Sequence, residues 1–201
     1  MPSRDQILSF EETPRPPGKS PWVVPPTPSA IEVVEYDPEW PTIAERVVRG
    51  LRAALGLRAL RIEHVGSTAV PGLAAKPVID LDLTVADPGD ERGWLPPLQE
   101  AGYVLTVREP WWHEHRLLQR RSGEHPAVNL HVFGPDSPES VKHAVFREWL
   151  RADPADRELY AEAKRSAAAG PDQRVMDYNA RKQAAIRDIY QRAFTAAGFL
   201  P

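Results

Sequence analysis

Two aspartates, Asp80 and Asp82, have the spacing in this 201-residue chain that most directly suggests chemistry. They lie in an apolar segment, residues 78–85, that is typical of a strand. Residues two apart on a strand point to the same face, so both carboxylates emerge together while the apolar residues between them face the core. Adjacent carboxylates repel unless a cation lies between them, and Mg²⁺ prefers oxygen ligands. The alternative is a solvated sheet face paired with Arg or Lys.

A Gly-Ser pair, Gly66 and Ser67, follows an alternating segment, residues 59–65, which we predict to be a strand. Such a turn lets backbone N–H groups and a hydroxyl approach a phosphate, although ordinary strand-to-helix turns use the same residues. Together, the strand, the Gly-Ser turn, a loop or short helix and the D-x-D strand indicate a nucleoside triphosphate site. Gly66 and Ser67 would bind the β- and γ-phosphates, and the two aspartates would bind the metal.

The elements that position these motifs predict an α+β (mixed α/β) fold. Residues 31–36 read as a short strand ended by Asp37, which we expect to cap a helix that begins at Pro38 and ends at Gly56. Further strands are expected at residues 103–107, 115–120 and 128–133, the last two joined by a turn at 122–126. Further helices are expected at 91–101, shortened or broken by Pro96 and Pro97, and at 138–151, 154–169 and 172–197, with Gly170-Pro171 as a break.

Proline is concentrated near the start of the chain, where eight of the 22 prolines precede residue 31. Proline lacks a backbone donor and fixes φ, so residues 1–30 are predicted to be a disordered or extended arm, followed by one domain at 31–201. Two other readings are a polyproline ligand for a partner and an arm docked through Trp22, Val23 and Val24.

Composition narrows the classes of protein further. The chain has no cysteine, which excludes disulfides, thiolate metal sites and cysteine nucleophiles and fits a reducing cytoplasm. No apolar run long enough for a membrane span occurs, and the first residues do not resemble a signal peptide, so we expect a cytoplasmic protein without a membrane partner. A net charge of −3 argues against a nucleic-acid partner. The sequence does not specify an oligomeric state.

Two segments resemble a known family, the GrpB family, also grouped as UPF0157. Residues 61–80 read RIEHVGSTAVPGLAAKPVID and closely resemble its most distinctive stretch, and residues 31–41 read IEVVEYDPEWP and resemble its opening. The resemblance extends over residues 31–195. It implies a mixed sheet flanked by helices, like that of the nucleotidyltransferase superfamily, with a helical C-terminal third. Members of the family are also found fused to dephospho-CoA kinases in some bacteria.

By this resemblance, Gly66 and Ser67 match the superfamily's Gly-Ser signature, and Asp80 and Asp82 match its paired aspartates. The superfamily usually adds a third carboxylate on a later strand, where this chain has Asn129-Leu130-His131. Imidazole is a poor replacement for a carboxylate at Mg²⁺ but can contact a phosphate, so His131 is a predicted nucleotide-binding residue. A missing base would slow activation of a nucleophile. Whether the protein is an enzyme is therefore open.

Three further cations are candidate phosphate-binding residues: Lys76 just before the D-x-D strand, Arg116 on the predicted hairpin, and Lys182. Lys182 lies in a segment that resembles a helical part of the family and would act as a charge clamp. For each, the alternative is a solvated surface cation. Trp111 and Trp112 could stack a base or cover the sheet.

Histidines allow a weaker, separate hypothesis. His113 and His115 form H-x-H, which on a strand places both imidazoles on one face. With His64 or His131 they could bind a transition metal, although exposed or packing histidines are the simpler reading.

The leading prediction is Mg²⁺-dependent transfer of a nucleotidyl group from a nucleoside triphosphate to a small-molecule acceptor, with release of pyrophosphate. The alternative is a non-catalytic module that binds a nucleotide or a CoA precursor and assists a partner enzyme such as dephospho-CoA kinase.

Overall fold

The structure, a computed structural model, describes residues 1–11, 13–26, 31–121, 126–169 and 175–201. Within these residues the strands are β1 (Arg61–Val65), β2 (Val78–Thr84), β3 (Val104–Glu109), β4 (His115–Arg120) and β5 (Ala127–Phe133). The helices are α1 (Arg4–Leu8), α2 (Trp40–Leu55), α3 (Glu91–Glu100), α4 (Pro138–Ala152), α5 (Pro154–Ala168) and α6 (Val175–Ala196). Short 3₁₀ turns occur at Gly56–Arg58 and Ser67–Ala69.

The five strands form one mixed sheet in the order β1-β2-β5-β4-β3. β2 and β5 are parallel neighbours at its centre, and the other pairs are antiparallel. The parallel register places Asp80 beside Asn129 and Asp82 beside His131. The mixed α/β class predicted from the sequence is confirmed, and the polar residues of the two central strands meet on one face of the sheet.

The opposite face of the sheet carries the main core. Ile79, Leu81 and Leu83 of β2 are fully buried there, as the alternation with the aspartates predicts. They pack against apolar side chains of α2 and α3, including Trp40, Leu51, Leu55, Trp94 and Leu98. Burial of this face fixes the register of β2, because a slip of one residue would put the aspartates into the core.

Helices α4, α5 and α6 cover the face that bears Asp80 and Asp82. A second apolar cluster lies among α4, α5, α6 and the segment after Ser67–Ala69, and includes Val70, Leu73, Leu150, Tyr160 and Ile189. The polar face of the sheet is therefore closed by a helical layer and not by bulk solvent. None of the described helices is both long and apolar enough to cross a membrane.

Several predicted elements differ in detail. The strand expected at 31–36 is a single bridge between Val34 and Ala75, because no neighbouring strand continues the ladder. Helix α2 begins at Trp40 with Pro41 in its first turn, and Asp37 accepts from the N–H of Glu39 without capping the helix.

Helix α3 also departs from expectation, because it continues through Pro96 and Pro97. Its Trp94 and Leu98 are anchored in the core, which offsets the two missing backbone donors. The predicted turn at 122–126 falls largely on residues 122–125, which lie outside the described residues, as does the predicted break at Gly170-Pro171.

The described part of the arm is packed against the rest of the chain. Ser3 caps α1 in a capping box with Gln6, and Ile7 is 5% exposed beside Tyr190 and Phe194. Farther along, Trp22 bridges Val107, and the N–H groups of Val23 and Val24 donate to the carbonyl of Thr106. This contact matches the alternative in which the arm docks through Trp22, Val23 and Val24. The division of the chain at residue 30 stays a prediction.

Packing of α1 can be tested by removing its buried side chain. We expect Ile7→Ala to lower the free energy of unfolding by about 2 kcal/mol, because it leaves a cavity against α6. Leu57→Ala is the control, since Leu57 is 97% exposed and its truncation leaves stability nearly unchanged. Urea denaturation of the two variants measures the difference. Equal stability of both variants would mean that α1 does not pack as described.

Candidate functional site

The predicted phosphate turn and the D-x-D pair meet where β1 ends beside β2. The antiparallel register places Val65, the last residue of β1, opposite Asp80. The chain then turns at Gly66 into the short 3₁₀ turn Ser67–Ala69. The structure therefore brings Gly66 and Ser67 next to Asp80, with Asp82 one step farther along the same face.

Gly66 makes this approach because it has no side chain. Its φ is +70°, a conformation that residues with a Cβ rarely adopt. A Cβ added at Gly66 would lie 2.6 Å from Oδ2 of Asp80 and 2.9 Å from its Cβ. The backbone of the turn and the carboxylate of Asp80 are thus in direct contact, which requires glycine at this position.

Helix α4 holds the two ends of the turn. Arg147 donates to the carbonyl of His64 at 2.7 Å, and Arg151 donates to the carbonyl of Ala69 at 2.7 Å. The hydroxyl of Thr68 donates to the carbonyl of Val78 at 3.1 Å, which ties the turn to the start of β2. These contacts position Gly66 and Ser67, and they join residues too far apart in sequence to be read from local spacing.

Asp80 is held by a chain of amides. The side chain of Asn129 donates to Oδ1 of Asp80 at 2.8 Å, and Gln119 donates in turn to Asn129 at 2.9 Å. Burial raises the pKa of Asp80, while the Asn129 hydrogen bond and the charges of Lys182 and Lys76 limit the rise. Oδ2 accepts no hydrogen bond from the described residues, so one oxygen stays available beside Gly66.

Asp82 is paired with His143, a residue of α4 that the sequence reading did not single out. Nδ1 of His143 lies 2.9 Å from Oδ2 and 3.1 Å from Oδ1 of Asp82. Burial opposes the imidazolium, but the charge and hydrogen bond of Asp82 raise the pKa of His143 to about 9. Burial also opposes the Asp82 carboxylate, yet His143 holds its pKa below the usual value. The pair is ionised at neutral pH.

His131 lies on the same face and belongs to a second chain of contacts. Its Nδ1 is 3.1 Å from Nε2 of His115, whose Nδ1 is 2.9 Å from a carboxylate oxygen of Glu109. Burial and the neighbouring His115 lower the pKa of His131 to about 3, so the ring is neutral. Trp112 packs edge-on against His115. The structure places His131 beside Asp82 on the polar face of the sheet, and its role in nucleotide binding stays a prediction.

Lysines gather around the rings of Tyr160 and Tyr178, beside Asp80. Nζ of Lys182 lies 4.7 Å from the centre of the Tyr178 ring, and Nζ of Lys76 lies 5.7 Å from it. Lys164, which the sequence reading missed, is 1% exposed and donates to the carbonyl of Ala74. Burial and the charges of Lys182 and Arg165 lower the pKa of Lys164 to about 6. The positive charge next to Asp80 therefore comes from Lys182 and Lys76, although the sequence alone suggested a surface role for these two residues as readily.

A cavity of about 340 Å³ opens from the Gly-Ser turn. This volume falls within the range of small-molecule sites. Gly66, Ser67 and His143 line one part of it, and the side of α6 lines another. Its apolar lining is mostly aromatic, contributed by Phe10, Trp112, Phe146, Tyr160 and Tyr190. Trp111 lies elsewhere, in a separate groove beside the arm.

Arg116, another predicted phosphate-binding residue, lies away from this cavity. Arg116 is 4% exposed on the core face of the sheet, where its guanidinium contacts Glu91 at 2.7 Å and Glu114 at 3.3 Å. Because β4 places Arg116 and Leu117 on opposite faces, and Leu117 is the residue paired with His131, Arg116 is not brought to the phosphate site.

Of the four histidines in the metal-site hypothesis, the structure brings His115 and His131 into contact but does not bring His113 or His64 to them. His113 and Glu114 both have a φ of +52° in the turn before β4, so His113 and His115 do not alternate on a strand. His64 contacts Thr68 on the core side of the sheet. Among the residues that the structure describes, no three His, Cys, Asp or Glu side chains are grouped to hold a metal ion.

Substitution of Gly66 tests the contact with Asp80. We expect Gly66→Ala to lower the free energy of unfolding by about 1–3 kcal/mol, because its Cβ would overlap Asp80 and the positive φ is strained. Gly50→Ala on α2 is the matched control, since open space surrounds it and alanine favours a helix, which predicts a gain of up to about 1 kcal/mol. Urea denaturation measures both. A neutral Gly66→Ala would contradict the contact.

The Asp82–His143 pair predicts a pH dependence of stability. The pKa of His143 is raised to about 9 in the folded protein from an ordinary 6.5, so its contribution is full below pH 6.5 and is lost as pH rises through 9. We expect His143→Gln, which keeps a donor but no charge, to cost about 1–3 kcal/mol at pH 6 and much less at pH 9.5. His113→Gln should show no such trend above pH 6.5. A pH-independent cost for His143→Gln would refute the ion pair.

Comparison with known proteins accords with the resemblance seen in the sequence. The family described as GrpB protein matches residues 30–192. A UPF0157 protein of Halalkalibacterium halodurans is 43% identical over 165 residues, which are 82% of this chain and 83% of that protein. A dephospho-CoA kinase of Mycolicibacterium paratuberculosis is 35% identical over 189 residues, covering 82% of this chain but only 46% of the kinase.

Solved structures also match this chain, and one of them is a GrpB protein. GrpB from Enterococcus faecalis matches with a TM-score of 0.72 and 30% identity, over 83% of this chain and 99% of that chain. The GLD-2/RNP-8 complex matches with a TM-score of 0.51 and 14% identity, over 67% of this chain and 55% of that chain, and this likeness concerns the fold alone. The fold is nucleotidyltransferase-like, and the chain belongs to the GrpB family.

Proposed function

We propose that this protein binds a nucleoside triphosphate at Gly66 and Ser67 and transfers its nucleotidyl group to a small-molecule acceptor. The observation that carries the proposal is the contact between the Gly66 backbone and the half-buried carboxylate of Asp80. A turn that can approach phosphates and a carboxylate that can hold a cation are thereby side by side.

The phosphates would be bound by the turn and by the lysines around Tyr178. Lys182 and Lys76 both act electrostatically on Asp80, and both lie near the Tyr178 ring, which supports a shared role for them. Burial lowers the pKa of Lys76, and the Asp80 carboxylate opposes that effect. An anion bound near these lysines favours their charged forms and offsets the cost of burying them.

The donor set fits Mg²⁺ in its chemistry. Asp80 and Asp82 provide carboxylate oxygens on one face, and Mg²⁺ in proteins is commonly held by one or two carboxylates together with substrate phosphates. Oδ2 of Asp80 is available, whereas both oxygens of Asp82 face His143. When bound, Mg²⁺ would neutralise negative charge on the triphosphate. A divalent ion at Asp82 would compete with the His143 imidazolium, so we expect its affinity to rise with pH.

The proposed reaction makes a bond between the acceptor oxygen and the α-phosphorus and breaks the bond from that phosphorus to the bridging oxygen. Pyrophosphate leaves, and the proton of the acceptor hydroxyl passes to water. Neither neighbour on β5 is suited to take that proton. Asn129 has no basic nitrogen, and the pKa of His131 is about 3. Lys182 and Lys76 would stabilise the charge on the departing pyrophosphate.

A second candidate function is a nucleotide- or CoA-precursor-binding module that assists a partner enzyme. It is favoured by the same β5 residues, since an amide and a neutral imidazole stand where a catalytic carboxylate would be expected. It also fits the dephospho-CoA kinase relative, of whose length the match covers about half.

The phosphate site can be tested by removing one charge. We expect Lys182→Met to weaken binding of ATP by about 10–100-fold, because a charge-assisted contact is lost. Lys19→Met, at an exposed position of the arm, is the matched control and should bind like the wild type. Isothermal titration calorimetry with ATP and Mg²⁺ measures both. Unchanged affinity in Lys182→Met would reject this placement of the phosphates.

Thermal shifts distinguish the two candidate functions. The wild type is heated with ATP, GTP, CTP or CoA, each with and without Mg²⁺. Stabilisation by a triphosphate that requires Mg²⁺, and that Asp80→Asn abolishes while Asp188→Asn on α6 does not, favours the transferase. Metal-independent stabilisation by CoA favours the module.

A further inference from the structure

One wall of the cavity comes from residues that precede the family match. The match begins at residue 30, yet Phe10 and Glu11 line the same cavity as Gly66 and Ser67. The remaining walls come from residues within the match. The cavity of this chain is therefore completed by a segment outside the family domain.

The segment is fastened to the helical layer at several points. Nε of Arg4 donates to the carbonyl of Phe199 at 2.6 Å, and Ile7 is buried against α6. The side chain of Lys142 on α4 donates to the carbonyl of Ser9. These contacts join the segment to α4, to α6 and to the residues after α6, so the segment has the character of a fixed wall.

Phe10 itself is held by aromatic and cationic neighbours. Its ring centre lies 5.1 Å from that of Tyr190, in an edge-on arrangement. Nζ of Lys142 lies 5.0 Å from the ring centre, and the Arg187 guanidinium lies 5.4 Å from it. Because Lys142 also pairs with Glu139 at 2.6 Å, Phe10 is linked through Lys142 to another residue that lines the cavity.

The rest of the cavity suggests what this wall would contact. Under the proposed function, phosphates would lie at Gly66 and Ser67 in one part of the cavity, and the apolar remainder of the lining is largely aromatic. Aromatic side chains stack favourably on flat rings and exclude water from them. The part of a nucleoside triphosphate that extends beyond the phosphates is such a ring on a sugar.

We propose that residues 3–11 form a fixed wall of the nucleotide cavity and that Phe10 is a specificity-determining residue that contacts the nucleoside. This inference rests on the proposed function, since it takes the phosphates to lie at Gly66 and Ser67. It assigns recognition of the nucleoside in part to the N-terminal segment, whereas the phosphates are bound entirely by the family domain.

Two probes separate the nucleoside from the phosphates. Binding of ATP and of inorganic tripolyphosphate, each with Mg²⁺, is measured by calorimetry on the full chain. Phe10→Ala should weaken ATP binding by about tenfold, the scale of one lost aromatic contact, and leave tripolyphosphate affinity unchanged. Phe10→Trp keeps an apolar side chain on Tyr190 but narrows the cavity, so it should also lower the ratio of ATP affinity to tripolyphosphate affinity.

Phe199→Ala is the matched control. Phe199 belongs to the same apolar cluster as Phe10 but does not line the cavity, so its truncation should leave the ratio unchanged. An unchanged ratio in both Phe10 variants would overturn the inference, and tighter ATP binding by Phe10→Ala would show that the segment blocks the site. If the wild type binds neither probe, the proposed phosphate site fails and this inference fails with it.

Discussion

The close contact between the Gly66 backbone and the Asp80 carboxylate is the constraint on which the rest of the site depends. It exists because β1 and β2 are antiparallel and Val65 pairs with Asp80, so the chain leaving β1 must cross the carboxylate. No side chain fits in that space. The arginines of α4 then fix the turn from outside, and burial of the apolar face of β2 fixes the aspartates from below. Register, turn and helical layer are thus mutually dependent.

Electrostatics in this site is arranged in compensating pairs. Asp82 is matched by the His143 imidazolium, and Asp80 by an amide on one side and two lysines near it. A buried carboxylate without such partners would take up a proton. The pairs also create a conflict for any incoming cation, since a metal ion at Asp82 meets a positive charge already in place. For the Mg²⁺ of the proposed function, binding at Asp82 would therefore be linked to proton release from His143, whereas binding at Asp80 would displace no neighbour.

Much of the sheet and one half of the site could be predicted from the sequence, because those features are local. Alternation in β2 marks both its buried face and the side on which Asp80 and Asp82 lie, and the Gly-Ser turn is adjacent along the chain. His143 and Lys164 could not be predicted in this way, since their roles arise from how α4 and α5 pack on β2 and on the segment before it, more than 60 residues earlier in the chain. Arg116 shows the converse limit. Its charge suggested that it binds a phosphate. Side chains alternate along β4, however, so Arg116 points to the other face of the sheet, where it forms an ion pair with Glu91.

The contact of Trp22, Val23 and Val24 with β3 has a consequence for association between molecules. β3 is an edge strand, and an uncovered edge offers backbone groups with which a second chain can pair. Here the edge is met by a segment flanked by Pro21, Pro25 and Pro26, and proline supplies no N–H to continue a ladder. Strand addition therefore stops after a few hydrogen bonds. The proline-rich stretch acts as a terminator for the sheet and protects this edge from self-assembly into extended β structure.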